Sequence, residues 1–128
     1  MIFIDDYAHH PTEVGVTIQA VKELYEGKKV MVVFQPHLFS RTQDFADEFA
    51  ESLSLADELI LLEIYPAREK QIDGVTSQML SEKCTIKNEV CTKEQLISVL
   101  SKKDVELLLT MGAGDISTMV QPIKELYN

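Results

Sequence analysis
Apolar residues follow two alternating rhythms along the chain. Ile2-Phe3-Ile4, Val30-Met31-Val32-Val33-Phe34 and Leu59-Ile60-Leu61-Leu62, the last extended by Ile64, are continuous apolar runs. Val105–Met111 reads as a fifth strand, and Val90-Cys91 as a weak one. Runs without polar alternation are expected of strands buried on both faces of a parallel sheet. Between them, apolar positions recur every three or four residues, the spacing of a helix face. Val14, Ile18, Val21 and Tyr25 mark a first helix, with His10 as N-cap, Pro11 at the first helical position, Glu13 at the third and Gly27 as C-cap. Ser40 and Gln43 form a capping-box pattern for a second helix, striped by Phe45, Phe49 and Leu53. Thr76–Lys83 and Lys93–Leu100 read as short helices. Ile116, Met119, Val120, Ile123 and Tyr127 mark a last one, which Pro122 must kink or split.

Strand and helix thus alternate. The expected fold is α/β: a Rossmann-like three-layer sandwich with a mostly parallel sheet of five or six strands and helices on both faces. The chain has 128 residues, enough for one domain. Its net charge of −9 argues against a nucleic-acid groove, which needs a basic stripe, but leaves room for a single nucleotide. No apolar run approaches the ~20 residues that cross a bilayer. The first residues lack the basic region of a signal peptide, and Cys84 and Cys91 read as free thiols, so a cytoplasmic setting is expected.

In an open parallel sheet the loops after the strands share one edge, where ligands bind. Four of these loops are unusual: Asp5–Glu13, Gln35–Arg41, Tyr65–Asp73 and Gly112–Asp115. The first packs Asp5, Asp6, Tyr7, His9 and His10 into the turn from strand to helix. Capping, nucleotide contact and, less readily, metal binding are all open to it. In the second, Arg41 falls in the first turn of a helix, where a cation is disfavoured by the dipole. Its planar fork is therefore expected to reach for an anion, with His37 able to help. Gly112-Ala113-Gly114 offers close backbone approach, though it lacks the third glycine of a dinucleotide fingerprint. Arg68, Glu69 and Lys70 read as a solvated charged loop.

Taken together, these segments resemble a known family. Asp5-Asp6-Tyr7-Ala8-His9-His10-Pro11-Thr12-Glu13 looks like the start of the C-terminal domain of the Mur ligases, the ATP-dependent enzymes that assemble the peptidoglycan stem peptide. Phe34-Gln35-Pro36-His37-Leu38-Phe39-Ser40-Arg41-Thr42, Ile64-Tyr65-Pro66-Ala67-Arg68-Glu69 and Gly112-Ala113-Gly114-Asp115-Ile116 are similar to later motifs of the branch that joins L-alanine to UDP-N-acetylmuramate. Gln71 stands where that branch would have proline. The resemblance covers essentially the whole chain. It implies an amide-forming ligase acting through an acyl phosphate, with ATP, L-alanine and UDP-N-acetylmuramate as substrates and Mg²⁺ held mainly by another domain. It also implies Asp6, Tyr7 and His9 at the ATP, His9 near the reacting atoms, and His37, Arg41 and the backbone of Ala113 at the L-alanine carboxylate.

The family has two further domains, for the UDP-sugar and for the phosphates. No G-x-x-x-x-G-K-[ST] sequence occurs in these 128 residues. Alone, the chain is therefore expected to be inactive, because it cannot hold the β- and γ-phosphates or Mg²⁺. Two other readings stay open: the branch that attaches a whole tripeptide to UDP-N-acetylmuramate, and a stand-alone nucleotide-binding module. A hydrolase is disfavoured, since there is no nucleophile elbow and no metal-spaced pair of acids.

Overall fold
A computed structural model describes all 128 residues. Five strands form one sheet: β1 (Ile2–Asp6), β2 (Val30–Phe34), β3 (Glu58–Leu62), β4 (Asn88–Cys91) and β5 (Leu107–Met111). Their order is β1-β5-β2-β3-β4 and every pairing is parallel. Period-two alternation splits the apolar strand residues between two cores. On one face Val32, Phe34, Leu59, Leu61, Leu107 and Leu109 pack with α1 (Pro11–Leu24), α3 (Ala46–Leu53) and α4 (Ser77–Lys83). On the other, Met31, Val33, Ile60, Leu62 and Leu108 pack with α5 (Lys93–Ser101) and α6 (Val120–Leu126). This is the expected three-layer sandwich. The strands buried on both faces are the ones that lack polar alternation.

Register then builds the functional edge. Asp6, Met111 and Phe34 are level with one another across β1, β5 and β2. The next residues, Tyr7, Gly112 and Gln35, therefore leave the sheet side by side. Because β5 returns between β1 and β2, and the helices after β1 and β5 cross to opposite faces of the sheet, a crevice opens between their loops.

Some local expectations need correction. Helix α1 keeps its His10 capping box, but its C-cap is Tyr25. Gly27, at φ 89°, lies in the turn beyond, closed by Lys28 N–H donating to the Tyr25 carbonyl. Ser40 is not an N-cap. Helix α2 (Phe39–Asp44) begins one residue earlier, after Leu38, and no side chain of its own caps it. The second helix is also two helices, α2 and α3, divided at Phe45. Thr92, unforeseen, caps α5 with a full capping box closed by Gln95. At the C-terminus the chain forms a 3-10 turn (Asp115–Met119) and then α6. Pro122 sits in the first turn of α6, where its missing N–H costs nothing.

Candidate active-site edge
The loop after β1 is shaped by its own backbone. Ala8 N–H donates to Asp6 Oδ1 at 2.9 Å, leaving the second carboxylate oxygen of Asp6 free of that turn. The N–H groups of His9 and His10 both donate to Glu13 Oε1, at 3.3 and 3.1 Å. Those two bonds hold the Glu13 carboxyl below its ordinary range. The adjacent histidines diverge. His10 turns toward Phe45, with ring centroids 5.3 Å apart, and its Nδ1 accepts from Thr12 N–H. His9 turns toward His37 at 5.9 Å, edge to face. Its Nδ1 lies 3.1 Å from the Tyr7 carbonyl, which can only accept, so Nδ1 carries the hydrogen and Nε2 is left as the acceptor of the neutral ring. Two rings aimed apart do not share an ion. No three His, Cys, Asp or Glu side chains come together as a metal site.

His9 belongs to a row of rings running across the carboxyl edge. Tyr7 meets His9 at 5.8 Å, His9 meets His37, and His37 stacks on Tyr65 at 5.6 Å and 16°. Tyr7 is 70% exposed and its hydroxyl donates to the Ala113 carbonyl at 3.4 Å. The loop thus touches the turn after β5. The His37 imidazole is pushed below its ordinary pKa by burial first, then by the charges of Arg41 and His9, with Glu69 opposing. The neutral form of the ring is thereby favoured. Arg41 stands beside it, half-exposed and without an ion pair inside the chain. The expected first-turn position needs correction: in the six-residue α2, Arg41 falls in the last turn, so the helix dipole does not oppose it.

Tertiary contacts fix the segment carrying His37 and Arg41. Leu38 N–H donates to the Tyr65 carbonyl and Tyr65 N–H to the Pro36 carbonyl, both at 2.8 Å, extending the sheet past its strand ends. Leu38 is held there at φ 71°, a strained value for leucine. Helix α2 receives its cap from the neighbouring loop: Glu69 accepts from the N–H of Ser40, at 3.0 Å, and from its hydroxyl. The hydroxyl and backbone bonds together draw the Glu69 carboxyl below its usual range. Glu69, expected to be solvated, is thus the carboxylate that Ser40 was expected to make unnecessary. Phe39, Ile64 and Val75 form a small separate core beneath this loop.

The remaining functional turn is held by residues that sequence reasoning missed. Gln35 is buried, 4% exposed. Its amide donates to Asp115 Oδ1 at 2.6 Å, and its carbonyl accepts from Ile116 N–H at 2.9 Å. Lys93 donates to Asp115 Oδ2, also at 2.6 Å. The signal that could have found Gln35 is its place. It directly follows five apolar residues and inherits their burial, which a primary amide tolerates only with partners. Gly114 is required by close approach: a Cβ there would lie 2.6 Å from both Tyr65 Cγ and Gln35 Oε1. Gly112 adopts φ 151°, and a Cβ on it would meet the Gln35 carbonyl at 3.1 Å.

The structure therefore brings together Tyr7, His9, His37, Arg41 and Ala113, with Asp6 at the start of the same loop. Sheet and edge define a Rossmann-like α/β domain with polar and aromatic side chains gathered at the carboxyl ends of its strands. Residues 1–114 match the Mur ligase, glutamate ligase domain, and the chain belongs to that family. Within it, the chain is 55% identical to UDP-N-acetylmuramate–L-alanine ligase of Flavobacterium johnsoniae, over 100% of its own length and 29% of that protein. It is 54% identical to the enzyme of the same name from Parabacteroides distasonis, over 98% of its length and 28% of that protein. Among solved structures, UDP-N-acetylmuramate-alanine ligase of Thermotoga maritima superimposes with a TM-score of 0.76 at 31% identity, covering 98% of this chain and 26% of the other. A murein peptide ligase from Psychrobacter arcticus gives the same TM-score at 18% identity, covering 97% of this chain and 27% of that one, a likeness of fold alone. The chain thus spans under a third of the length of the curated relatives it matches. No helix is long and apolar enough to cross a membrane.

Proposed function
We propose that this domain is the amino-acid-receiving, ATP-closing part of a UDP-N-acetylmuramate–L-alanine ligase acting in the bacterial cytoplasm. The observation that carries the reading is Arg41, an unpaired guanidinium beside a neutral imidazole on the edge that also presents Tyr7 and His9. Identities of 45–55% to ligases of that name favour L-alanine as the amino acid received.

In the reaction, ATP phosphorylates the muramate carboxylate, the L-alanine amine attacks the acyl phosphate, and the tetrahedral adduct expels phosphate. This domain's residues bind and orient. Asp6 accepts from the ATP ribose through the oxygen that Ala8 leaves free, and the exposed Tyr7 ring lies beside the nucleotide. Arg41 clamps the L-alanine carboxylate, His37 donates to it from a neutral ring, and the Ala113 backbone closes the other side. Burial keeps His37 uncharged, so the single full cation facing that carboxylate is Arg41. His9, with Nδ1 tied to the Tyr7 carbonyl, keeps Nε2 as the acceptor for the amine proton. The chain offers no cluster fit for Mg²⁺, which would be held by groups outside these residues. Nor does it contain a phosphate-binding P-loop, so the edge is one wall of a site that a second domain closes.

The test is Arg41→Ala in the intact ligase. Its KM for L-alanine should rise by about tenfold or more, the effect of losing a charge-assisted bidentate contact, with the KM for ATP little changed. Unaltered L-alanine kinetics would remove Arg41 from the site. The 128-residue chain alone should release no ADP from ATP, UDP-N-acetylmuramate and L-alanine.

A further inference from the structure
Lys93 has no part in the site described above. It lies at the start of α5, beyond β4, the strand at the opposite edge of the sheet from β1. Its ammonium nevertheless reaches Asp115 Oδ2 at 2.6 Å, while Gln35 holds the other carboxylate oxygen at 2.6 Å. Asp115 is thus gripped on both oxygens by two different elements. Gln35 completes the frame by accepting Ile116 N–H, so the residues on both sides of the Asp115 peptide are tied to β2. The turn fixed this way is Gly112-Ala113-Gly114. Gly114 has no side chain to lock its backbone, and Tyr65 packs where its Cβ would be. Ala113 in turn takes the Tyr7 hydroxyl on its carbonyl. A turn with two glycines has wide conformational freedom unless its flanks are held. The contacts holding the C-terminal flank are the two bonds to the Asp115 carboxylate and the Ile116 N–H bond to Gln35.

We propose that Lys93 is a positioning residue, which through Asp115 and Gln35 holds the Gly112–Gly114 turn in the geometry that presents the Ala113 backbone to the amino-acid carboxylate. The use made of the turn rests on the function proposed above; the mechanical coupling does not. Lys93 touches no substrate. Its ammonium makes a charge-assisted bond to Asp115 Oδ2 that leaves Oδ1 to Gln35, so the carboxylate is held from two sides. Burial raises the Asp115 carboxyl, but the bonds from Lys93 and Gln35 outweigh it and leave it below its ordinary range. Lys93 is raised in turn, chiefly by the same hydrogen bond.

Two measurements test this. In the 128-residue chain, Lys93→Met should speed amide hydrogen exchange of Ile116, whose N–H is held by Gln35 at the end of the turn, about tenfold, with α1 and β2 unchanged; Lys93→Arg should restore protection. In the intact ligase, Lys93→Met should raise the KM for L-alanine about five- to tenfold, with kcat and the KM for ATP retained, and Lys93→Arg should recover most of it. Unchanged exchange at the turn would overturn the coupling. Faster exchange with unchanged L-alanine KM, in an enzyme where Arg41→Ala does raise that KM, would overturn the role of Lys93 in presenting Ala113. If Arg41→Ala also left the L-alanine KM unchanged, the reading of the whole site would fall, while the exchange result would still decide the coupling.

Discussion

The loop after β1 and the three loops facing it meet at one edge but are wired differently. Within Asp6–Glu13, the polar contacts that shape the turn join residues two to four apart: Ala8 to Asp6, His9 to Tyr7, and Glu13 to His9 and His10. Among the facing loops the separations run from 22 residues, for Lys93 and Asp115, to 81, for Ile116 and Gln35, and the bond from Tyr7 to Ala113 that joins the two sides spans 106. One wall is built by local hydrogen bonding, the other by long-range packing. The local wall presents groups in a fixed order on a preformed helix start. The long-range wall places a cation and a backbone turn only after β2, β3, β4 and β5 have assembled. Substitutions should therefore have unequal reach on the two sides.

The largest effect is expected at Gly114. Its Cβ in Gly114→Ala would overlap the Tyr65 ring and the Gln35 amide, neither of which can retreat without breaking the Tyr65 pairing or the Asp115 bonds. A loss of about 2–3 kcal/mol in urea unfolding is expected, at the upper range for an overpacked site. Wild-type stability would show that this wall is more yielding than its contacts suggest. Next comes Gln35→Leu, which keeps the volume but strands the Ile116 N–H and takes one donor from Asp115. It should cost about 2 kcal/mol, the penalty of a buried group left without its partner. Thermal melts of Gln35→Leu and Gln35→Glu side by side would separate loss of the amide from loss of packing.

The local wall should respond least, and mainly through pH. The Glu13 carboxyl lies below its ordinary value because it accepts from His9 and His10. Its contribution is therefore present above the unfolded carboxylate pKa, near ~4.3, and fades as pH falls through the lower folded value. Glu13→Gln should flatten that part of the urea midpoint against pH. Because Glu13 is exposed, the change should be smaller than either substitution above. A Glu13 effect as large as that of Gln35 would erase the proposed distinction between the walls.

The same division explains what could be read in advance. The strands were legible because burial on both faces leaves no polar residue in Val30–Phe34 or Leu59–Leu62. The His10–Glu13 capping box was legible because its partners lie within one helical turn. Arg41 was singled out as a first-turn cation, but α2 is only six residues long and places it in the last turn. Ser40 misled, since a hydroxyl at the right spacing looks the same whether it caps its own helix or, as here, binds the Glu69 carboxylate that does the capping. Glu69 itself looked like one more charge in a polar loop. Phe45 fits a helical stripe equally well whether the helix runs through it or divides there.

By itself, then, the sequence determined the α/β alternation, the family through four spaced motifs, and the capping box after β1, because each of these is written in neighbouring residues. Only the tertiary structure decided the strand order β1-β5-β2-β3-β4, the row of rings from Tyr7 to Tyr65, and the Lys93–Asp115–Gln35 frame behind Ala113. Those features join residues far apart in the chain. Their geometry follows from the register of buried strands, which carries Tyr7, Gln35 and Gly112 out of the sheet at one level.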